Sequence, residues 1–155
     1  MVYDFVDERK LRTASRPGMT AVILNRKRVL ILKRINLPFI INPGIWYFVG
    51  GSRKKGETPL QNAYREIGEE LALGRERLTV LSRMDATIVD RRRRERWRNS
   101  LFIISSSTRE VRLNVENSGY RWVTLEGLRG YKDLLGSIEN AEEVLVRIKS
   151  ALKRT

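Results

Sequence analysis

The sequence predicts an α/β fold of the α+β kind, a mixed β-sheet flanked by helices. Two observations carry this. Six apolar runs rich in β-branched and aromatic residues are separated by turn-forming residues and read as strands. Two further segments place apolar residues at helical spacing along one stripe each, and a striped helix needs a sheet face to cover. A length of 155 residues suits a single domain with a substantial core.

The elements follow in order. Residues 1–18 form an N-terminal arm to which the sequence assigns no role, and residues 19–155 form the domain. Met19–Asn25 and Arg28–Arg34 are apolar runs with a short polar break between them, which predicts a hairpin. Ile35–Gly44 carries two prolines and a glycine and reads as a loop, unusually apolar through Phe39, Ile40 and Ile41, which could line an apolar subsite or a subunit contact. Ile45–Gly51 is a short aromatic strand that runs into paired glycines. A helix then opens with Thr58 as N-cap, Pro59 at the first helical position and Gln61 completing a capping box. Leu60, Ala63, Tyr64, Ile67 and Leu71 make its apolar stripe, and Gly74 is the expected stop. Leu78–Asp90 and Ser100–Ser107 are strands joined by an arginine-rich stretch, and Gly119–Leu125 is another strand. After a short irregular or helical segment, Ser137 is the expected cap of a final helix striped by Ile138, Ala141, Val144, Leu145, Ile148 and Leu152.

Composition narrows the chemistry. Hydrophobic residues make up 41% and charged residues 32%, a globular balance. The chain has neither cysteine nor histidine, so disulfides, thiolate nucleophiles, histidine triads, histidine-ligated zinc and imidazole proton shuttles are excluded. A hydrolase built from this chain must use carboxylates, lysines or a metal. No apolar run approaches the ~20 residues needed to span a bilayer, and the first residues do not read as a signal peptide. The expected compartment is the cytoplasm, without membrane attachment. The net charge of +13, from 31 Lys+Arg against 18 Asp+Glu, favours polyanionic partners such as nucleotides or RNA, or else marks a charge-rich thermophile surface.

Against that positive surplus, Glu66, Glu69 and Glu70 sit three and four residues apart on the first helix, where like charges repel. On a helical wheel they lie together, roughly 130° from the centre of the apolar stripe, as an acidic ridge. Clustered carboxylate oxygens suit a hard divalent cation, Mg²⁺ or Mn²⁺, shared with substrate phosphates. A solvated helix face is the bland alternative.

The surroundings favour the metal. Gly51, five residues, Glu57, seven residues, Arg65-Glu66-Ile67, one residue, Glu69-Glu70, one residue, Ala72-Leu73 resembles the Nudix signature G-x5-E-x7-R-E-U-x-E-E-x-G-U at eight of nine specified positions. The departure is Ala72, where the family has glycine; a lesser one is Val49, where relatives often have proline. The resemblance implies a Nudix-like α/β/α sandwich and a metal-dependent hydrolase of a nucleoside diphosphate linked to another moiety. It implies Glu66, Glu69 and Glu70 as metal ligands, the Gly51 carbonyl as a further oxygen ligand, and Glu57 with Arg65 as a structural ion pair. It also implies that a homodimer is common among relatives. Glu69 is the first choice as proton acceptor for the attacking water, with Glu116, and after it Glu110, as alternatives on a later loop.

Six arginines in Arg91–Arg98 surround Trp97, and either clamp phosphate or nucleic acid, as Arg91, Arg92, Arg93 and Arg94 could, or form a solvated hairpin tip. Trp97, and one of Trp46, Tyr47 and Phe48, are candidate base-stacking residues, with at least two of the latter three expected in the core, since alternate strand positions face opposite ways. The substrate could be a nucleoside triphosphate, a nucleotide sugar such as ADP-ribose, a dinucleoside polyphosphate or an RNA 5′ end. The competing class is a basic RNA-binding protein on a Nudix scaffold without catalysis. Isomerase chemistry on diphosphates, known in some relatives, is disfavoured by the missing cysteine and histidine.

Overall fold

The computed structural model describes residues 18–36, 44–90 and 94–155, together with the backbone of residues 12–13. Residues 37–43, including Phe39, Ile40 and Ile41, lie outside it, as do Arg91, Arg92 and Arg93 and most of the N-terminal arm.

Among the described residues, eight strands form one mixed sheet: β1 (Arg12–Thr13), β2 (Gly18–Asn25), β3 (Arg28–Arg34), β4 (Trp46–Tyr47), β5 (Val49–Ser52), β6 (Leu78–Asp90), β7 (Glu95–Ser106) and β8 (Asn117–Val123). The central strand β2 lies parallel to β7 and is buried on both faces, which is why its sequence is an unbroken apolar run. Met19, Ala21 and Ile23 face α1 (Pro59–Leu71), whose Ala63, Ile67 and Leu71 are fully buried against them. Val22 and Leu24 face the other way, toward α4 (Ala141–Leu152) and the short α2 (Leu125–Leu128). Each fully buried aliphatic side chain contributes roughly 1.5–3 kcal/mol of hydrophobic stabilisation.

The expected hairpin is present only at its turn. β2 and β3 pair over Leu24–Val29 and Asn25–Arg28, then diverge: β2 takes β5 as its partner, and β3 takes β4 and β8. The aromatic run at 45–51 is accordingly split at Phe48 into β4 on one side of the gap and β5 on the other. That gap brings the paired glycines beside the start of β2.

Two expected helix boundaries are corrected. The capping box of Thr58 and Gln61 forms as predicted, but α1 ends at Leu71, with Ala72 in the left-handed conformation (φ 55°, ψ 33°) and its N–H donating to Gly68 O. Gly74 instead precedes a 3-10 turn at Arg75–Arg77. Ser137 does not cap the last helix. Its hydroxyl donates back to Leu134 O at the end of α3 (Lys132–Gly136), because Val89 N donates to Ser137 O and Glu139 N to Thr87 O, which ties 137–139 to β6. Asn140 takes the N-cap position of α4 and clamps β6, with Nδ2 on Asp85 O and Oδ1 accepting from Thr87 N.

An alanine in the left-handed region is strained where glycine is not. Ala72→Gly is expected to raise stability by about 1 kcal/mol, measured as a higher urea midpoint with unchanged slope; an unchanged or lower midpoint contradicts this account of the helix end.

Candidate metal and phosphate site

The site is organised by Arg65. Its guanidinium grips Glu57 with a two-pronged contact, Nε to Oε2 at 2.7 Å and Nη2 to Oε1 at 3.1 Å, the geometry that suits planar guanidinium to carboxylate. The same side chain donates to Ser52 O at 3.0 Å, to Asn62 Oδ1 at 3.2 Å and to Glu66 Oε1 at 3.0 Å. Glu57 Oε1 also accepts from Lys54 N at 2.8 Å. The loop after β5 is therefore fastened to α1 at several points, as expected of an ion pair with a structural role. The Arg65 hydrogen bond is the main reason the Glu57 carboxyl is held down at about 2.

The three glutamates of the ridge do not share one environment. Glu69 is half exposed and lies 3.3 Å from Arg65 Nη1. Glu66 turns inward against Gly51, where even a methyl group would collide with its carboxylate, so this glycine is required by close approach. Glu70, expected on the ridge, is buried at 2% exposure. The cause is β4: Tyr47 folds over the helix and its hydroxyl donates to Glu70 Oε1 at 3.1 Å and lies against Asn117 Oδ1. Glu70 Oε2 has no hydrogen-bond partner among the described residues. Burial pushes the Glu70 carboxyl up to about 7, with the charges of Glu66 and Glu116 adding to it. Glu66 is raised for the same reason, burial first, despite Arg65.

Among the described residues no three acids are already gathered into a cage. Their donor set nonetheless fits a hard cation. Glu66 and the orphaned Glu70 Oε2 supply anionic oxygens out of water, and Gly51 leaves room beside them. The Gly51 carbonyl accepts from the fully buried Asn62 Nδ2 at 3.3 Å, and Gly51 itself is paired with Met19 of β2. Glu116 stands close enough that both Glu66 and Glu70 feel its charge; its backbone N–H donates to Asn114 Oδ1 at 3.1 Å and its carbonyl accepts from Ile35 N. Glu110 is exposed, in a turn held by Thr108.

A cavity of about 310 Å³ adjoins the glycine turn, at the lower end of ligand-pocket sizes. Gly50, Gly51, Arg34, Tyr47, Trp97 and Asn99 contribute to its wall. Trp97 thus reaches the cavity, whereas Trp46 packs edge-on against Tyr131 with its face under Arg121 at 4.7 Å. The arginine cluster does not act as one clamp in its described part. Arg94 sits at the turn with φ 54°, Arg96 contacts Glu139 at 3.0 Å and Arg98 lies 4.0 Å from Asp85. Sequence reasoning passed over Arg34, whose Nε is buried with no hydrogen-bond partner among the described residues, as well as Asn62 and Asn99; it had Tyr47 as a stacking candidate, not as a partner of Glu70. Asn62 gave a usable signal, a polar residue next to the apolar stripe. Arg34 and Asn99 gave none, since strand pairing alone puts them at the cavity.

Paired glycines thus stand between a half-buried and a buried carboxylate on one side and this cavity on the other, on a helix-flanked mixed sheet. The chain belongs to the Nudix family: the family model described as NUDIX domain matches residues 14–144. An RNA pyrophosphohydrolase of Photorhabdus laumondii is 30% identical over 131 residues, 70% of this chain and 69% of that protein. Another from Edwardsiella ictaluri is 29% identical over 70% and 68%. Among solved structures, the MutT protein of Methanosarcina mazei Go1 superposes with a TM-score of 0.73 at 22% identity, over 89% of this chain and 96% of the other. The C. elegans Ap4A hydrolase binary complex gives 0.70 at 21%, over 90% and 98%. This chain is a pyrophosphohydrolase of that family, whose members use divalent metals. Among its described residues no helix is long and apolar enough to cross a membrane.

Two outcomes test the electrostatics. Glu57 has a lowered pKa, so its contribution is fully present above its unfolded value of 4.5 and is lost as pH falls toward about 2. Glu57→Gln is expected to flatten stability against pH across that window; a slope equal to wild type contradicts it. Glu70 carries a buried charge, so Glu70→Gln is expected to stabilise the metal-free protein by roughly 1–3 kcal/mol at pH 8 while weakening Mg²⁺ binding at least tenfold. Calorimetry and denaturation that move together, both weaker, contradict it.

Proposed function

We propose that residues 19–155 form a Mg²⁺- or Mn²⁺-dependent hydrolase acting on the 5′-polyphosphate of a nucleotide or of an RNA 5′ end. The observation that carries this reading is the buried Glu70 with its orphaned oxygen beside Glu66, whose carboxylate presses on Gly51; that glycine, though neither acid, also lines the cavity. A buried acid with an orphaned oxygen beside a half-buried one is costly as a structural device and useful as a cation ligand set. Glu66, Glu70 and the Gly51 carbonyl would hold the cation, with Glu69 completing the set once it leaves Arg65. When bound, the cation neutralises the pyrophosphate oxygens and polarises the phosphorus under attack.

The remaining roles fall to the chain itself. Arg65 and Glu57 keep the glycine turn fixed on the helix. Tyr47 and Asn62 orient Glu70 and the Gly51 carbonyl. Arg34 supplies positive charge on the cavity wall toward which the polyphosphate lies. Glu116, exposed and close to both buried acids, is the better placed proton acceptor for water, and Glu69, engaged with Arg65, is the second choice. The RNA end is preferred over the dinucleoside polyphosphate and nucleotide-sugar readings because relatives near 30% identity carry that name and the net charge of +13 suits a polyanion.

With Mn²⁺ and a panel of triphosphorylated RNA, ATP, Ap4A and ADP-ribose, the expected result is pyrophosphate or phosphate release from the triphosphorylated RNA at the highest kcat/KM. Glu116→Gln is expected to lower kcat about 10²–10⁴-fold with little change in KM, whereas Glu110→Gln leaves both unchanged. RNA binding without turnover by the wild type would instead support the non-catalytic scaffold.

A further inference from the structure

Asn99 has no part in the chemistry above, yet its environment is unusual. It is 7% exposed on β7, and its Nδ2 donates to Thr20 Oγ1 at 3.1 Å. That bond fixes the amide and leaves Oδ1 as a buried acceptor with no hydrogen-bond partner among the described residues, on a residue of the cavity wall. Such an atom loses its bonds to water and gains none in return unless a donor meets it. Native interiors rarely leave one without reason.

A second observation points the same way. Gly18 lies beside Oδ1: a Cβ there would stand 3.2 Å from it and 3.0 Å from Gly51 O. The bare backbone keeps the approach to the acceptor open, and it fixes a distance. The two oxygens flank one point, so they are no more than about 6 Å apart. Asn99 Oδ1 is therefore close to the turn that the phosphates would occupy. On a nucleoside 5′-polyphosphate the donors nearest the phosphates are the 2′- and 3′-hydroxyls, one sugar ring away. The edge of the base lies a further ring beyond. Trp97, two residues earlier and on the same face of β7, also lines the cavity and can flank the sugar or base.

We propose that Asn99 is a specificity-determining residue whose Oδ1 accepts a hydrogen bond from a ribose hydroxyl, so that the enzyme selects ribonucleotides over deoxyribonucleotides. This rests on the polyphosphate reading above. A site built to bond a hydroxyl rejects the analogue lacking it far more strongly than an apolar pocket discriminates by size, because the acceptor is left buried and unpaired. Thr20 is the positioning residue that turns the amide.

The test compares ATP with 2′-deoxy-ATP and 3′-deoxy-ATP under Mn²⁺, by kcat/KM and by calorimetric binding of the α,β-methylene analogues. Wild type is expected to lose at least about tenfold in both readouts on removal of one of the two hydroxyls. Asn99→Leu is expected to reduce that preference to within twofold, while Asn99→Asp, which keeps an acceptor there, retains it. Triphosphorylated dinucleotides with ribose or deoxyribose in the first position tell whether the sugar belongs to a free nucleotide or a chain end; preference in either supports the assignment. Hydrolysis of all three triphosphates within twofold by the wild type, and of the ribose and deoxyribose dinucleotides within twofold, overturns it while leaving the polyphosphate reading intact. Preference undiminished in Asn99→Leu also overturns it, and absence of any nucleotide turnover or binding overturns both.

Discussion

A carboxylate removed from water and left with one oxygen unpartnered is the constraint around which this molecule is arranged. Glu70 is buried because Tyr47 closes over it, and Tyr47 is there because β4 pairs with β3 at the point where β2 and β3 part. Glu66 is half-buried because Gly51 allows it to press against the turn. Each feature raises the cost of holding negative charge. Arg65 offsets part of that cost, yet its best contact is spent on Glu57, which fixes the loop rather than neutralising the buried pair. Negative charge in excess of its local positive partners is what a divalent cation would offset.

The fold gives this arrangement its rigidity. β2 is covered by helices on both faces, and the glycine turn is attached to it through the pairing of Gly50 with Thr20 and Gly51 with Met19. The helix that bears the acids packs on the same strand through Ala63, Ile67 and Leu71. Turn and helix are thus held by one scaffold, and the Arg65 fork sets the remaining freedom between them. Catalytic geometry needs such support, since small displacements of a charge-bearing group are costly to rate.

What could be read from the sequence was what neighbouring residues decide. The capping box at Thr58 and Gln61 and the Glu57–Arg65 pair each depend on spacing within one loop and helix, and both form as expected. The strands were legible because their apolar runs are long. The failures share a cause. Glu70 looked like part of an exposed ridge because a helical wheel knows nothing of Tyr47. Ser137 looked like a cap because its pairing with Val89 lies far along the chain. Ala72 ends the helix in a conformation that glycine would take without strain, and the expectation that Gly74 would serve assumed that the chain avoids strain there. Asn99 and Arg34 became visible only when strand register brought them to one cavity.

Diffraction from crystals soaked in Mn²⁺, recorded at its absorption edge, tests the central claim most directly. The account predicts an anomalous peak within bonding distance, about 2.0–2.3 Å, of Glu66, Glu70 and the Gly51 carbonyl oxygen. Peaks confined to exposed acids such as Glu126 and Glu142, with the Glu70 oxygen still unpartnered, would contradict it.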